Sequence, residues 1–376
     1  MRWDVIGLVL GWTIRVVCIP LSVVGIFSFY VEGQEYAIKT YLIPLIIAAF
    51  VSQWFINKSQ NSNSTQRVRD REAFASVALG WIPVIALGSM PFWLGGTFYG
   101  PYDLISNDAS FVEVLHGLLY SWFESMSGFT TTGATLIDST LSPICINAGQ
   151  DIDCIAEQPK SILLWRSLTQ WLGGLGVIML GLLIFSSVLG GGMNLARAEL
   201  TGPSLSRLGP SLQSTARRLW MIYSVLTFFE IGLLYFIGDM SMFNSVNYSL
   251  TTLPTGGFGT SDSGIMAFDS FRVELIITLF MLLAGINFSL YHLIIAGGGR
   301  NVFKDEALRS YLLIFLLAWL AMSLNLVIHG ANEGVDKFES IRQAMFRAAS
   351  IGTSTGFASA DFAAWPVFSH FVLLLL

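Results

Sequence analysis

Three short segments of this 376-residue chain have residue types and spacing that could do chemistry. They read Ser127-Gly128-Phe129-Thr130-Thr131-Thr132-Gly133-Ala134-Thr135, Leu253-Pro254-Thr255-Gly256-Gly257-Phe258-Gly259-Thr260 and Gly352-Thr353-Ser354-Thr355-Gly356-Phe357. Aligned on Thr132-Gly133, Thr255-Gly256 and Thr355-Gly356, they recur at intervals of 123 and 100 residues. Glycine tolerates positive φ, so successive peptide carbonyls there can point to one side. A ring of such carbonyls can replace the hydration shell of a cation. The candidate ligands are the backbone oxygens of Thr131, Thr132, Gly133 and Ala134, of Pro254, Thr255, Gly256 and Gly257, and of Ser354, Thr355, Gly356 and Phe357. The threonine hydroxyls could join them or cap local N–H groups, and capping is the favoured role for most. A tight turn between helices explains one such glycine but not a threefold register.

The elements that must position these loops follow from composition. Apolar residues make up 53% of the chain and charged ones 12%, with a mean hydropathy of +0.64. Such a chain could not cover a water-facing surface with ionised side chains. Runs of about 20 apolar residues, the number needed to cross a bilayer core of roughly 30 Å, lie near 6–29, 37–56, 74–96, 161–189, 219–237, 271–296 and 310–328, with a last run from 367. Between paired runs sit the semi-apolar segments that end in the three loops. Each is expected to be too short to cross, and so to be a re-entrant half-helix followed by an extended return. Extended backbone survives at membrane depth only inside protein or along water. Each half-helix would aim its C-terminal partial negative charge at the loop. The expected fold is an all-α integral membrane protein of helix–pore-helix–helix repeats: an N-terminal two-helix hairpin over 1–72, a first pore repeat over 73–196, a second over 197–301 and a third, cut short in its second helix, over 302–376.

With the N-terminus placed in the cytoplasm, the inner segments hold 13 of the 20 basic residues and the outer loops most of the acids, as the positive-inside rule requires. Outer acidity would concentrate cations or would merely solvate the loops. A net charge of −5 and a pI near 5.4 give no case for nucleic acid. Cys145 and Cys154 share one outer loop, where an oxidising compartment would permit a disulfide; two free thiols are the alternative.

Ionisable residues at membrane depth are functional candidates by default. Glu124 and Arg347 fall in the first and third half-helices, Arg166 opens a span, and Glu230 lies within one. They could shape ion entry, or brace the half-helices through a pair such as Glu124 with Arg166 or Arg347. Gly173, Gly174 and Gly176 read as close packing ahead of a gate hinge, and Gly7-x-x-x-Gly11 matches a small-residue packing motif. Gly352-x-Ser354-x-Gly356 fits a serine-hydrolase pattern, but helical flanks and the shared register of the loops argue that the match is accidental. His116, His292, His329 and His370 have no zinc-like spacing. The remaining alternatives are a coupled secondary transporter of another solute, for which inverted repeats would be expected, an intramembrane hydrolase using Ser354, and a passive structural protein.

The three loops resemble the filters of the Trk/Ktr/HKT superfamily of potassium transporters. The stretch Leu168-Thr169-Gln170-Trp171-Leu172-Gly173-Gly174-Leu175-Gly176 and the extra N-terminal helix pair make the chain most similar to the Trk-type membrane subunit. The resemblance implies four pore repeats in pseudo-fourfold order around a central pore, three of them present here. It also implies K⁺ as the transported ion, a homodimer in the cytoplasmic (inner) membrane with its filters toward the outside, and a cytosolic nucleotide-binding regulatory subunit. That subunit, or anionic lipid, would meet the basic linker 190–218. A fourth loop would be expected past residue 456, and no position matches the family's gating loop or its last-repeat arginine, so the chain reads as a piece of a longer protein. One glycine per loop common to all three implies a short filter with loose discrimination against sodium.

Overall fold

The computed structural model describes residues 2–60, 70–148, 152–176, 212–287, 290–291, 302, 304–329 and 336–376. Among them every regular element is helical. The chain divides into two compact units, Met1–Met221 and Ile222–Leu376.

In the first unit, α1 (Trp3–Val31) and α2 (Ile43–Gln60) form the hairpin. A short helix, Gln34–Ala37, and a π-helical turn, Ile38–Leu42, connect them. Gly7 and Gly11 let the two helices meet: a Cβ on Gly7 would lie 2.7 Å from the Ser59 hydroxyl, and one on Gly11 2.9 Å from the Ser52 carbonyl. The small-residue motif is therefore a packing seam. Arg15, placed in an apolar span, is satisfied by the Ser52 hydroxyl at 3.0 Å and by Gln53. Arg2 reaches Glu72 at the start of α3 (Asp70–Leu94) with a 2.6 Å ion pair. The hairpin is thus stapled to α3, and the same unit contains α4 (Phe111–Phe129) and α5 (Lys160–Gly174) besides two short helices, Pro101–Ile105 and Pro143–Ala148. Cys145 and Cys154 are joined as a disulfide, with Cα atoms 5.5 Å apart, in the loop between α4 and α5. In that loop slight burial pushes the Asp138 carboxyl up. Donation from the Thr140 hydroxyl and N–H and the Leu141 N–H outweighs it and holds the group below the ordinary aspartate range.

The second unit contains α6 (Leu212–Phe236, from Ile222 onward), α7 (Met242–Thr252) and α8 (Phe271–Ala284), then α9 (Glu306–His329), α10 (Lys337–Gly352) and α11 (Val367–Leu375). Met322, Leu326, Ala344, Ala348 and Trp365 form a core between α9 and α10, against which Val372 and Leu373 of α11 pack. The Trp319 indole donates to the Ile341 carbonyl at 3.1 Å, so α9 and α10 are joined by a polar bond as well.

Five described helices are long and apolar enough to cross a membrane: Trp3–Val31, Gln34–Ser59, Phe74–Leu94, Arg217–Phe236 and Glu306–His329. The half-helices α7 and α10 have 11 and 16 residues, but α4 has 19. At 1.5 Å per residue α4 is about 28 Å long, just short of a bilayer core of roughly 30 Å, and it is not among the helices long and apolar enough to cross. What stops α4 is the loop after it, where Thr131 turns left-handed. The linker segment 190–211, His292, Arg300 and the far ends of the runs near 161–189 and 271–296 lie outside the described residues.

Candidate functional site

Each half-helix ends in the same way. Residues Thr131, Thr255 and Ser354 have φ of 53°, 55° and 56°, and two positions later Gly133, Gly257 and Gly356 have φ of 78°, 78° and 86°. The N–H of the first of these residues donates three back: Thr131 to Gly128, Thr255 to Thr252, Ser354 to Ile351. The N–H of the next donates five back: Thr132 to Ser127, Gly256 to Thr251, Thr355 to Ser350. A left-handed β-branched or hydroxyl residue is costly, on the order of 1–3 kcal/mol, and its recurrence at one position in three loops marks a conformation the surroundings enforce.

This pattern corrects the sequence register. Gly257, not Gly256, is equivalent to Gly133 and Gly356. With two glycines in succession, composition could not decide which one turns left-handed. Gly257 is fixed by a second constraint, because a Cβ there would sit 2.0 Å from the Thr355 carbonyl oxygen. Within the second unit the second and third loops are therefore in direct backbone apposition. The ring of Tyr248, in the second half-helix, lies 5.7 Å from that of Phe357 in the third loop.

Three of the candidate oxygens already accept hydrogen bonds. The Ala134 carbonyl accepts from the Ser127 hydroxyl at 2.6 Å and the Phe357 carbonyl from the Ser350 hydroxyl at 2.7 Å. The Pro254 carbonyl accepts from the Thr255 hydroxyl at 2.7 Å, as Thr353 does from Ser354. What the three loops share is a core of three residues: Thr131-Thr132-Gly133, Thr255-Gly256-Gly257 and Ser354-Thr355-Gly356. The threonines divide by role. Thr130 and Thr353 cap the helix carbonyls of Met126 and Ala349 at 2.7 Å, and each meets the hydroxyl two residues on, Thr132 or Thr355, at 2.8 Å.

Behind the first loop lies a buried ion pair. Glu124 and Arg166 are 0% and 1% exposed, and Arg166 Nε donates to Glu124 Oε1 at 2.6 Å. The same carboxylate accepts from the Thr135 hydroxyl at 3.0 Å and the Leu136 N–H at 3.2 Å, so it grips the return strand. Of the two partners open to Glu124 from sequence, Arg166 is the one engaged. Behind the third loop Arg347 Nη1 donates to the Phe357 carbonyl at 3.2 Å. The close approach of α5 needs Gly173, since a Cβ there would be 2.1 Å from the Phe129 carbonyl oxygen. On the other side of α4, Gly88 abuts Ser125 and Phe129, and the Trp165 indole donates to the Gly88 carbonyl at 2.9 Å.

Sequence reasoning missed Ser127, Thr251 and Ser350, which stand six residues before the left-handed glycines. Hydroxyls recurring at that offset were the available signal. Ser354 lacks hydrolase geometry: it follows a helix, and its hydroxyl bonds to Thr353. His370 is bonded to the Phe362 carbonyl at 2.9 Å. Among the described residues no group of three or more His, Cys, Asp or Glu side chains could hold a metal.

A family model described as TrkH, Cation transport protein, matches residues 45–376. The chain belongs to that family. Its members are transport proteins, not enzymes, as the loops had implied. A potassium uptake protein TrkH of the Trk system in Vibrio parahaemolyticus serotype O3:K6 (strain RIMD 2210633) is 32% identical over 341 residues, 90% of this chain and 62% of that protein. The Trk system potassium uptake protein TrkG of Escherichia coli (strain K12) is 28% identical over 371 residues, 98% of this chain and 67% of TrkG. The crystal structure of the potassium transporter TrkH from Vibrio parahaemolyticus superposes with a TM-score of 0.77 at 25% identity, covering all of this chain and 69% of that one. The chain thus spans about three fifths of the length of the first curated relatives it matches. Together with its apolar helices, family membership makes it a multi-pass membrane protein.

Proposed function

We propose that this chain forms most of a potassium pathway across the cytoplasmic membrane, with a short filter of backbone carbonyls. Thr131–Gly133, Thr255–Gly257 and Ser354–Gly356 would supply the oxygens. The observation that carries this reading is the pair of left-handed residues repeated in all three loops, a shared backbone turn that supports a common arrangement of carbonyls. Each half-helix C-terminus adds partial negative charge behind its loop. Glu124 with Arg166, and Arg347, hold the returns in place and touch no ion.

In this reading the pore is pseudo-fourfold, with three of the four repeats in this chain, and the protein works as a homodimer under a cytosolic nucleotide-binding subunit. The domain division is a hairpin over 1–72 and repeats starting at 73, 197 and 302. The N-terminus is cytoplasmic and the loops face outward. A filter of three residues per loop offers fewer stacked sites than a Thr-Val-Gly-Tyr-Gly filter, so selectivity over sodium is looser.

The test is rubidium and sodium uptake by the full-length transporter in bacteria lacking their own potassium uptake. Gly257→Ser should lower the Rb⁺/Na⁺ ratio. An unchanged ratio would overturn the carbonyl filter, and no rubidium uptake by the unaltered protein would overturn the function.

A further inference from the structure

The third half-helix carries two arginines with contrasting surroundings. Arg342, near its start, is compensated: the guanidinium lies 3.1 Å from Glu274, 3.1 Å from Glu339 and 3.6 Å from Asp269. Arg347, five residues closer to the loop, is 8% exposed and has no carboxylate within 4 Å among the described residues. It donates to the Phe357 carbonyl at 3.2 Å and stacks 3.8 Å over the Phe362 ring. Neither partner cancels its charge. Phe357 directly follows Gly356, so a full positive charge stands one peptide behind the filter core. In the first loop the residue nine before the glycine is Glu124, and its charge is answered by Arg166.

We propose that Arg347 sets the valence preference of the pathway, disfavouring divalent cations at the filter while tolerating monovalent ones. This rests on the potassium-filter reading above. The physical basis is that the repulsion between a fixed charge and an ion is proportional to the ion's charge. A carbonyl ring alone attracts a divalent ion about twice as strongly as a monovalent one, and Ba²⁺ is near K⁺ in size. The guanidinium offsets part of that attraction, and its offset is twice as large for the divalent ion. An arginine stays protonated under any physiological condition, so the bias is permanent.

The experiment measures barium block and the apparent rubidium affinity of uptake by the full-length transporter. Arg347→Gln keeps an N–H donor for the Phe357 carbonyl and removes the charge. It should tighten rubidium binding by about threefold and barium block by the square of that factor, about tenfold. Arg347→Lys should leave both near the original values. If the glutamine variant does not fold, Arg347→His serves instead: block should tighten as pH rises through the histidine range and the side chain loses its charge. Equal changes for the two ions, no change, or a lysine variant that behaves like glutamine would overturn the valence role. Those results would leave the potassium pathway standing, because rubidium uptake by the unaltered protein is measured in the same assay.

Discussion

The first and third loops use one hydrogen-bond grammar and opposite electrostatics. Both place a serine hydroxyl on the carbonyl after the glycine, both carry a threonine capping its own helix, and both join that threonine to a second one. Nine residues before the glycine, however, one has a carboxylate locked to an arginine and the other a guanidinium with no acid beside it among the described residues. The backbone shape of a loop and the charge behind it are therefore separable: hydroxyls and local N–H groups set the shape, while one residue of the preceding helix, with the partner it finds, sets the charge. The second loop makes the same point from another side. Pro254 and Gly256 replace the two threonines, and the Thr251 hydroxyl bonds its own helix at Asn247 and Tyr248, yet the left-handed positions are retained.

The comparison breaks most sharply at the ion pair. Arg166→Met would leave the Glu124 carboxylate buried without its counter-charge and should destabilise the protein by about 3–5 kcal/mol. Arg347→Met loses one hydrogen bond and removes an uncompensated charge, so its cost should stay below about 1.5 kcal/mol. Thermal unfolding of the purified variants in one detergent compares the two; equal losses would mean that Arg347 has a hidden acidic partner. Next comes the glycine pair. Gly257→Ala forces a Cβ against the Thr355 carbonyl at a left-handed φ and should cost about 1–3 kcal/mol, whereas Gly256→Ala should cost less than that. The reverse order would restore the register read from sequence. Gly173→Ala, which meets the Phe129 carbonyl, should fall in the same range of about 1–3 kcal/mol, read from the same melts. The smallest effects belong to the hydroxyls. Ser127→Ala and Ser350→Ala should each cost about 1 kcal/mol, and Thr251→Ala less, since that hydroxyl spans no loop. Chemical denaturation followed by tryptophan fluorescence resolves differences of that size.

Much of this is legible in the amino-acid sequence. Apolar runs located the five described helices long enough to cross, because a bilayer demands length and apolarity of a span whatever its neighbours are. The three threonine- and glycine-rich loops stood out because a recurring glycine has few uses other than φ freedom or close approach. Cys145 and Cys154 were near enough in the chain to pair, and they do. Less visible were the serines six residues upstream, which in sequence are ordinary polar residues on a helix. Nor does the hydrophobic pattern mark where α4 ends, because that point is set by a left-handed Thr131.

The amino-acid order by itself determined the class of fold, the position of the loops and the residue types available to line them, since hydrophobic periodicity and glycine usage are local properties. Tertiary structure decided which of two adjacent glycines turns left-handed, which arginine answers Glu124, and which donates instead to a loop carbonyl. Those choices depend on how closely helices approach one another: the Thr355 carbonyl selects Gly257, and the packing of Lys160–Gly174 against Phe111–Phe129 delivers Arg166 to Glu124.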